Sequence, residues 1–148
     1  MQPLYDHYLQ FIRSSLKNDT SFSGAIPEEE QAALAALAEE HRTVPFVLPG
    51  FRNTSFYPAM LQKTKNMMLN YYQIDAFTRH TVSLLEENGI SCILLKGISL
   101  AVCYPVPEYR KLGDLDLYIN EPEALEKAQV LLEAQGYREE KELSDHHV

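Results

Sequence analysis

Apolar positions recur every three or four residues through the first ninety residues of the chain, then every two residues in one short stretch. Leu4, Tyr8, Phe11, Ile12 and Leu16 keep helical spacing and predict a first helix. Asn18 to Ala25 is polar and small, which predicts a loop. Pro27 followed by Glu28, Glu29 and Glu30 predicts a helix start, because proline suits the first turn and acids complement the helix dipole. That helix should run to about His41. Pro45, Pro49 and Pro58, with one glycine and clusters of Asn, Ser and Thr, mark residues 45–58 as a connector with a short helical turn at most. From Pro58 to Asn88 the pattern predicts one long helix. Met60, Met67, Tyr71, Ile74, Phe77, Thr81, Leu84 and Leu85 should line its buried face, and Gly89 sits where a C-terminal cap glycine belongs.

Beyond Gly89 the pattern changes. Ile90 to Leu95 is short and mostly apolar, which predicts a buried strand. Lys96-Gly97-Ile98-Ser99 reads as a turn into a short helix reaching about Tyr104. From Asp114 apolar and polar residues alternate, so a second strand should point Leu115, Leu117 and Ile119 inward. Asp114, Asp116 and Tyr118 should share the other face. Asn120-Glu121-Pro122-Glu123 predicts a last helix, with Asn120 as its cap, Leu125, Ala128, Leu131 and Leu132 facing the core, and Gly136 at its end. Residues 137–148 are polar and can supply a third strand. The predicted class is α/β (α+β), one domain over residues 1–148: a helical region over 1–57, then the long helix and a small sheet over 58–148.

Asp114-Leu115-Asp116 is the candidate chemistry. Two carboxylates two positions apart on a strand stand roughly 7 Å apart at the Cα level. They can lean onto one cation or hold two side by side, and hard carboxylate oxygens suit Mg²⁺, which takes phosphate oxygens as further ligands. Gly97 lets backbone approach a ligand. A helix N-terminus after it offers free N–H groups to phosphate. The Ser99 hydroxyl and the Lys96 ammonium can add donors. Each feature also has an ordinary reading: a solvated acidic edge, a plain strand-to-helix turn. Their combination gives the functional reading its weight.

Composition narrows the partners. The net charge of −8 opposes a polyanionic partner, and no basic stripe offsets it; Lys63-Thr64-Lys65 and Arg110-Lys111 are the densest basic spots. Nucleic acid is therefore not expected as a partner. No apolar run approaches the ~20 residues needed to span a membrane. The start of the chain has neither a basic stretch nor an apolar core, so no secretory signal is expected. Cys92 in a predicted strand and Cys103 in a predicted short helix are expected to be buried, reduced thiols, which suits the cytoplasm.

Strand, Gly-x-Ser turn, helix and Asp-x-Asp strand together resemble the DNA polymerase β-like nucleotidyltransferase superfamily. Here Gly97-Ile98-Ser99 replaces the superfamily's adjacent Gly-Gly or Gly-Ser pair, and fourteen residues separate Ser99 from Asp114. Leu94-Leu95-Lys96-Gly97, Tyr104-Pro105, Arg110 and Gly113-Asp114-Leu115-Asp116-Leu117 resemble more closely a bacterial family of uncharacterised nucleotidyltransferases. Ala38-Glu39-Glu40-His41-Arg42-Thr43-Val44-Pro45 fits that family's upstream Ala-x-x-His segment loosely.

The resemblance implies a polymerase β-like palm with a short mixed sheet. It implies transfer of a nucleoside monophosphate from an NTP, with ATP the expected donor, to a small-molecule or protein hydroxyl. Asp114 and Asp116 would hold two Mg²⁺ ions. Gly97 and Ser99 would hold phosphates, and Lys96 and Arg110 would neutralise phosphate charge. A third carboxylate, expected in a Glu-hydrophobic-His pattern on a later strand, is not found: Glu139, Glu140, Glu142 and Asp145 sit in no apolar alternation. The expectation is therefore a palm incomplete at its C-terminus. The rival is an inactive nucleotide- or partner-binding module with a relic site. A sugar-nucleotide glycosyltransferase also uses Asp-x-Asp, but needs a larger nucleotide-binding domain where this chain is helical. A haloacid-dehalogenase-type phosphatase places its Asp-x-Asp after an apolar strand, whereas here the alternation follows Asp114.

Overall fold

The computed structural model describes residues 2–17 and 26–138. It is mostly helical, with one small antiparallel sheet. Helix α1 spans Gln2–Leu16, α2 Glu28–Glu40, α3 Val44–Val47, α4 Tyr57–Glu87 and α5 Pro122–Ala134. Strands β1 (Ile93–Leu94) and β2 (Leu117–Tyr118) lie between α4 and α5, and 3₁₀ turns cover Leu48–Phe51, Gly97–Cys103 and Pro107–Tyr109.

Among the described residues the apolar side chains form two cores. The first gathers Tyr8 and Phe11 of α1, Leu34 and Ala38 of α2, Val44 and Val47 of α3, Phe51 and Met60. Gly50 permits this packing: a Cβ there would fall 2.9 Å from Ile26 Cδ1 and press on the buried Phe11 ring. The second core gathers Leu85, Ile90 and Ala128, with Leu117, Ile119 and Leu131 against them. Helix α4 has 31 residues, so it extends about 46 Å and connects the two.

Several expectations are corrected. The expected short mixed sheet is a two-residue antiparallel pair among the described residues, with Ile93 opposite Tyr118 and Leu94 opposite Leu117. Leu115, Leu117 and Ile119 are all half-buried, and of the three Leu117 and Ile119 pack against the second core. On α4, Phe77 leaves the expected buried stripe and packs near Tyr137 at the surface, with ring centroids 5.9 Å apart. Thr78 is buried instead, and its hydroxyl donates to the Ile74 carbonyl at 2.7 Å, which satisfies its polar group within the helix. The α5 cap is Glu121 rather than Asn120, whose Oδ1 accepts from the Tyr118 hydroxyl at 2.9 Å. Leu125 is exposed. Cys103 is exposed and Cys92 half-buried, and both are free thiols. Most of the predicted 18–25 loop and 137–148 strand lies outside the described residues.

Candidate functional site

The turn after β1 carries the expected phosphate-binding residues. Gly97 adopts φ +50°, the left-handed region that glycine enters without penalty. A Cβ on Gly97 would lie 3.7 Å from the Asp114 carbonyl oxygen, so this turn runs alongside the start of Asp-x-Asp. The pairing of β1 with β2 fixes that juxtaposition, and the Leu95 N–H extends it by donating to the Asp116 carbonyl at 3.0 Å.

The helix expected after Gly97 is a seven-residue 3₁₀ turn. The Ser99 hydroxyl and N–H both donate to the Lys96 carbonyl, at 2.8 and 3.0 Å. Ser99 therefore closes the turn with the proton it was expected to offer to phosphate.

Arg110 reaches back to the same turn. Its Nε donates to the Gly97 carbonyl at 2.9 Å and its Nη1 to the Tyr104 hydroxyl at 3.2 Å, with the guanidinium carbon 5.6 Å from the Tyr104 ring centre. Two of its five N–H groups are used, and the remainder stay available. Arg110 thus holds the turn.

The two carboxylates differ. Asp114 is exposed, whereas the Asp116 side chain is 30% exposed. Asp116 Oδ2 lies 3.2 Å from the Lys96 ammonium, yet it is buried and receives no hydrogen bond. The contact is an ion pair whose geometry leaves the lone pairs of that oxygen unused. A buried oxygen short of donors, two residues along the chain from a second carboxylate and 3.2 Å from an ammonium, suits a hard divalent ion held by one or two carboxylates plus phosphate. Among the described residues no group of three or more His, Cys, Asp or Glu side chains converges, so a third carboxylate does not join this pair there.

A cleft of about 310 Å³ adjoins the turn. Arg42, Arg110, Lys111 and His41 line it, with aromatic walls from Phe46, Tyr104 and Tyr109 and with Gly113 beside Asp114. Phe46 of α3 holds the far wall, its ring centroid 5.7 Å from Tyr109 in an edge-on contact and 6.1 Å from Tyr104. Helix α4 anchors the same wall: the Tyr72 hydroxyl donates to Glu108 at 2.7 Å and Lys111 to Asn70 at 2.8 Å.

Arg42 enters the cleft from the end of α2. The Arg42 and Thr43 N–H groups cap α2 through the Glu39 and Ala38 carbonyls, at 3.1 and 2.8 Å. This cap needs a left-handed residue. Gly89 and Gly136 supply it after α4 and α5, but here Arg42 does so at φ +56°, a strain of about 1 kcal/mol. The sequence reading named the 38–45 segment for its resemblance but did not place it at the site. A non-glycine residue one position past the helix cap, next to a histidine, was the available signal.

These elements define a small helical domain in which a Gly-x-Ser turn lies against an Asp-x-Asp segment, with cations beside both. The chain belongs to the family described as uncharacterised nucleotidyltransferase, whose model matches residues 27–148. Neither a curated protein nor a solved structure matches it.

Proposed function

We propose that the chain is a Mg²⁺-dependent nucleotidyltransferase that moves a nucleoside monophosphate from an NTP, ATP in the first instance, to a hydroxyl of a small molecule or protein. The observation that carries this reading is the buried Asp116 oxygen, without a hydrogen bond, 3.2 Å from Lys96 and next to the Gly97 turn. Family membership supports the reaction class. In this reading β1, the 97–103 turn and β2 form the central part of a polymerase β-like palm.

Asp114 and Asp116 would hold two Mg²⁺ ions, which when bound supply charge neutralisation on the triphosphate and activation of the acceptor hydroxyl. With Asp116 given to the metal, the Lys96 ammonium would be free to turn to the phosphates. Gly97 lets its backbone approach the phosphates, and Ser99 keeps the turn closed. Arg110 offers its remaining N–H groups to phosphate oxygens. The acceptor oxygen bonds to the α-phosphorus, the bond from the α-phosphorus to the bridging oxygen breaks, and pyrophosphate leaves with that electron pair. The hydroxyl proton passes to water.

One observation favours a second reading. No third carboxylate joins Asp114 and Asp116 among the described residues, which suits a module that binds nucleotide without turnover. Incubation with Mg²⁺, glycerol and ATP labelled at the α-phosphate separates the two. Labelled AMP or an AMP adduct, with pyrophosphate released and both lost in Asp116→Asn, supports transfer. Intact ATP that nonetheless binds supports the non-catalytic module. Release of orthophosphate instead contradicts both.

A further inference from the structure

The basic cleft has no part in holding the Mg²⁺ pair. Its lining contains Arg42, Arg110 and Lys111 and no carboxylate, in a chain with 21 acidic and 13 basic side chains. Among the described residues none of the three cleft cations has an acidic partner. Like charges gathered without counter-charges favour an anionic ligand. The unusual Arg42 conformation places one of these cations in a capping position that Gly89 and Gly136 fill elsewhere.

We propose that this cleft binds the phosphate group of the acceptor, making the second substrate a small phosphorylated molecule. The Arg42 guanidinium fork and the Lys111 ammonium match a phosphate dianion in charge and donor geometry. The rings of Phe46, Tyr104 and Tyr109 provide a wall for the body of the molecule. Its position identifies the ligand as acceptor rather than nucleotide. Gly113 lines the cleft and Asp114 follows it, while the Gly97 turn abuts the Asp114 carbonyl. A molecule in the cleft thus lies at the start of the Asp-x-Asp segment while the Gly97 turn holds the nucleotide. Assignment as acceptor rests on the nucleotidyltransferase reading; anion binding by the cleft does not.

Phenyl phosphate is the probe, titrated calorimetrically at constant ionic strength into the wild type, Arg42→Gly, Lys111→Gln and Asp116→Asn. The expected result is saturable binding that weakens tenfold or more in Arg42→Gly and in Lys111→Gln. It should be unchanged in Asp116→Asn and should persist under saturating Mg²⁺ and ATP. Arg42→Gly suits the backbone at φ +56°, so its melting temperature should hold or rise, and lost binding is then not lost folding. No saturable binding, or full binding by Arg42→Gly, overturns the anion site. Competitive displacement by Mg²⁺ and ATP overturns the acceptor assignment and gives the cleft to the triphosphate. ATP binding that ignores Asp116 counts against the nucleotide reading alone and leaves the phenyl phosphate result standing.

Discussion

Gly97 is the residue on which the 97–103 turn depends. At φ +50° any other L-residue is strained, by about 1–2 kcal/mol. Gly97→Ala should lower the melting temperature by about 2–8 °C and weaken ATP binding several-fold; an unchanged melting curve would mean that the turn relaxes without cost. Lys96 makes a sharper case. Its exposed ammonium pairs with the buried Asp116 oxygen, and in the proposed function it would compete there with a divalent ion. Lys96→Met should therefore bind Mg²⁺ alone about threefold more tightly, yet bind ATP with Mg²⁺ more weakly. Calorimetric titrations in which both affinities fall together would contradict the exchange. The two thiols should also differ. Burial first, then the nearby Glu86, raises the pKa of Cys92, and Cys103 is exposed. Since the thiolate is the nucleophile, iodoacetamide at pH 8 should label Cys103 well before Cys92, as read by peptide mass spectrometry.

Helices were more readily read from sequence than strands, for physical reasons visible in particular elements. Helix α4 was predicted from Pro58 to Asn88 and spans Tyr57–Glu87, because proline, glycine and a long period of three and four fix both ends. Its buried face was less accurate. Buried Thr78 donates within its own helix, a solution that hydropathy cannot register. Thr64 and Thr81 are buried too, and their hydroxyls have no hydrogen-bond partner. Thr81→Val removes an unsatisfied hydroxyl, so it should stabilise the protein by about 1 kcal/mol; a lower melting temperature would show that the hydroxyl does find a partner. Strands behaved differently. Alternation from Asp114 correctly sent Leu117 and Ile119 inward, but only Leu117–Tyr118 pairs. Alternation specifies a face, while ladder length requires a partner in register.

Across the whole molecule, the candidate site lies where the helical core and the sheet region meet. Gly97, Asp114 and Asp116 were named from spacing and resemblance, and strand pairing places the turn against them. The basic cleft was not foreseen, because net charge is a sum over the chain. Arg42 and Lys111 are far apart in sequence, and packing of α3 against the Tyr104–Tyr109 segment brings them to one cleft. That packing depends on the first core, and the core depends on Gly50. Gly50→Ala should cost about 1–3 kcal/mol through overpacking against Phe11 and Ile26, measured by urea unfolding; a cost near zero would show that the α1 contact yields easily. In the proposed function Asp116 and the Gly97 turn share one metal-dependent nucleotide site. Its most direct test is calorimetric titration of ATP and GTP into the wild type and Asp116→Asn, with and without Mg²⁺. Saturable binding that requires Mg²⁺ and disappears in Asp116→Asn is expected. Binding of neither nucleotide by a folded wild-type chain, or binding indifferent to Asp116, would contradict it.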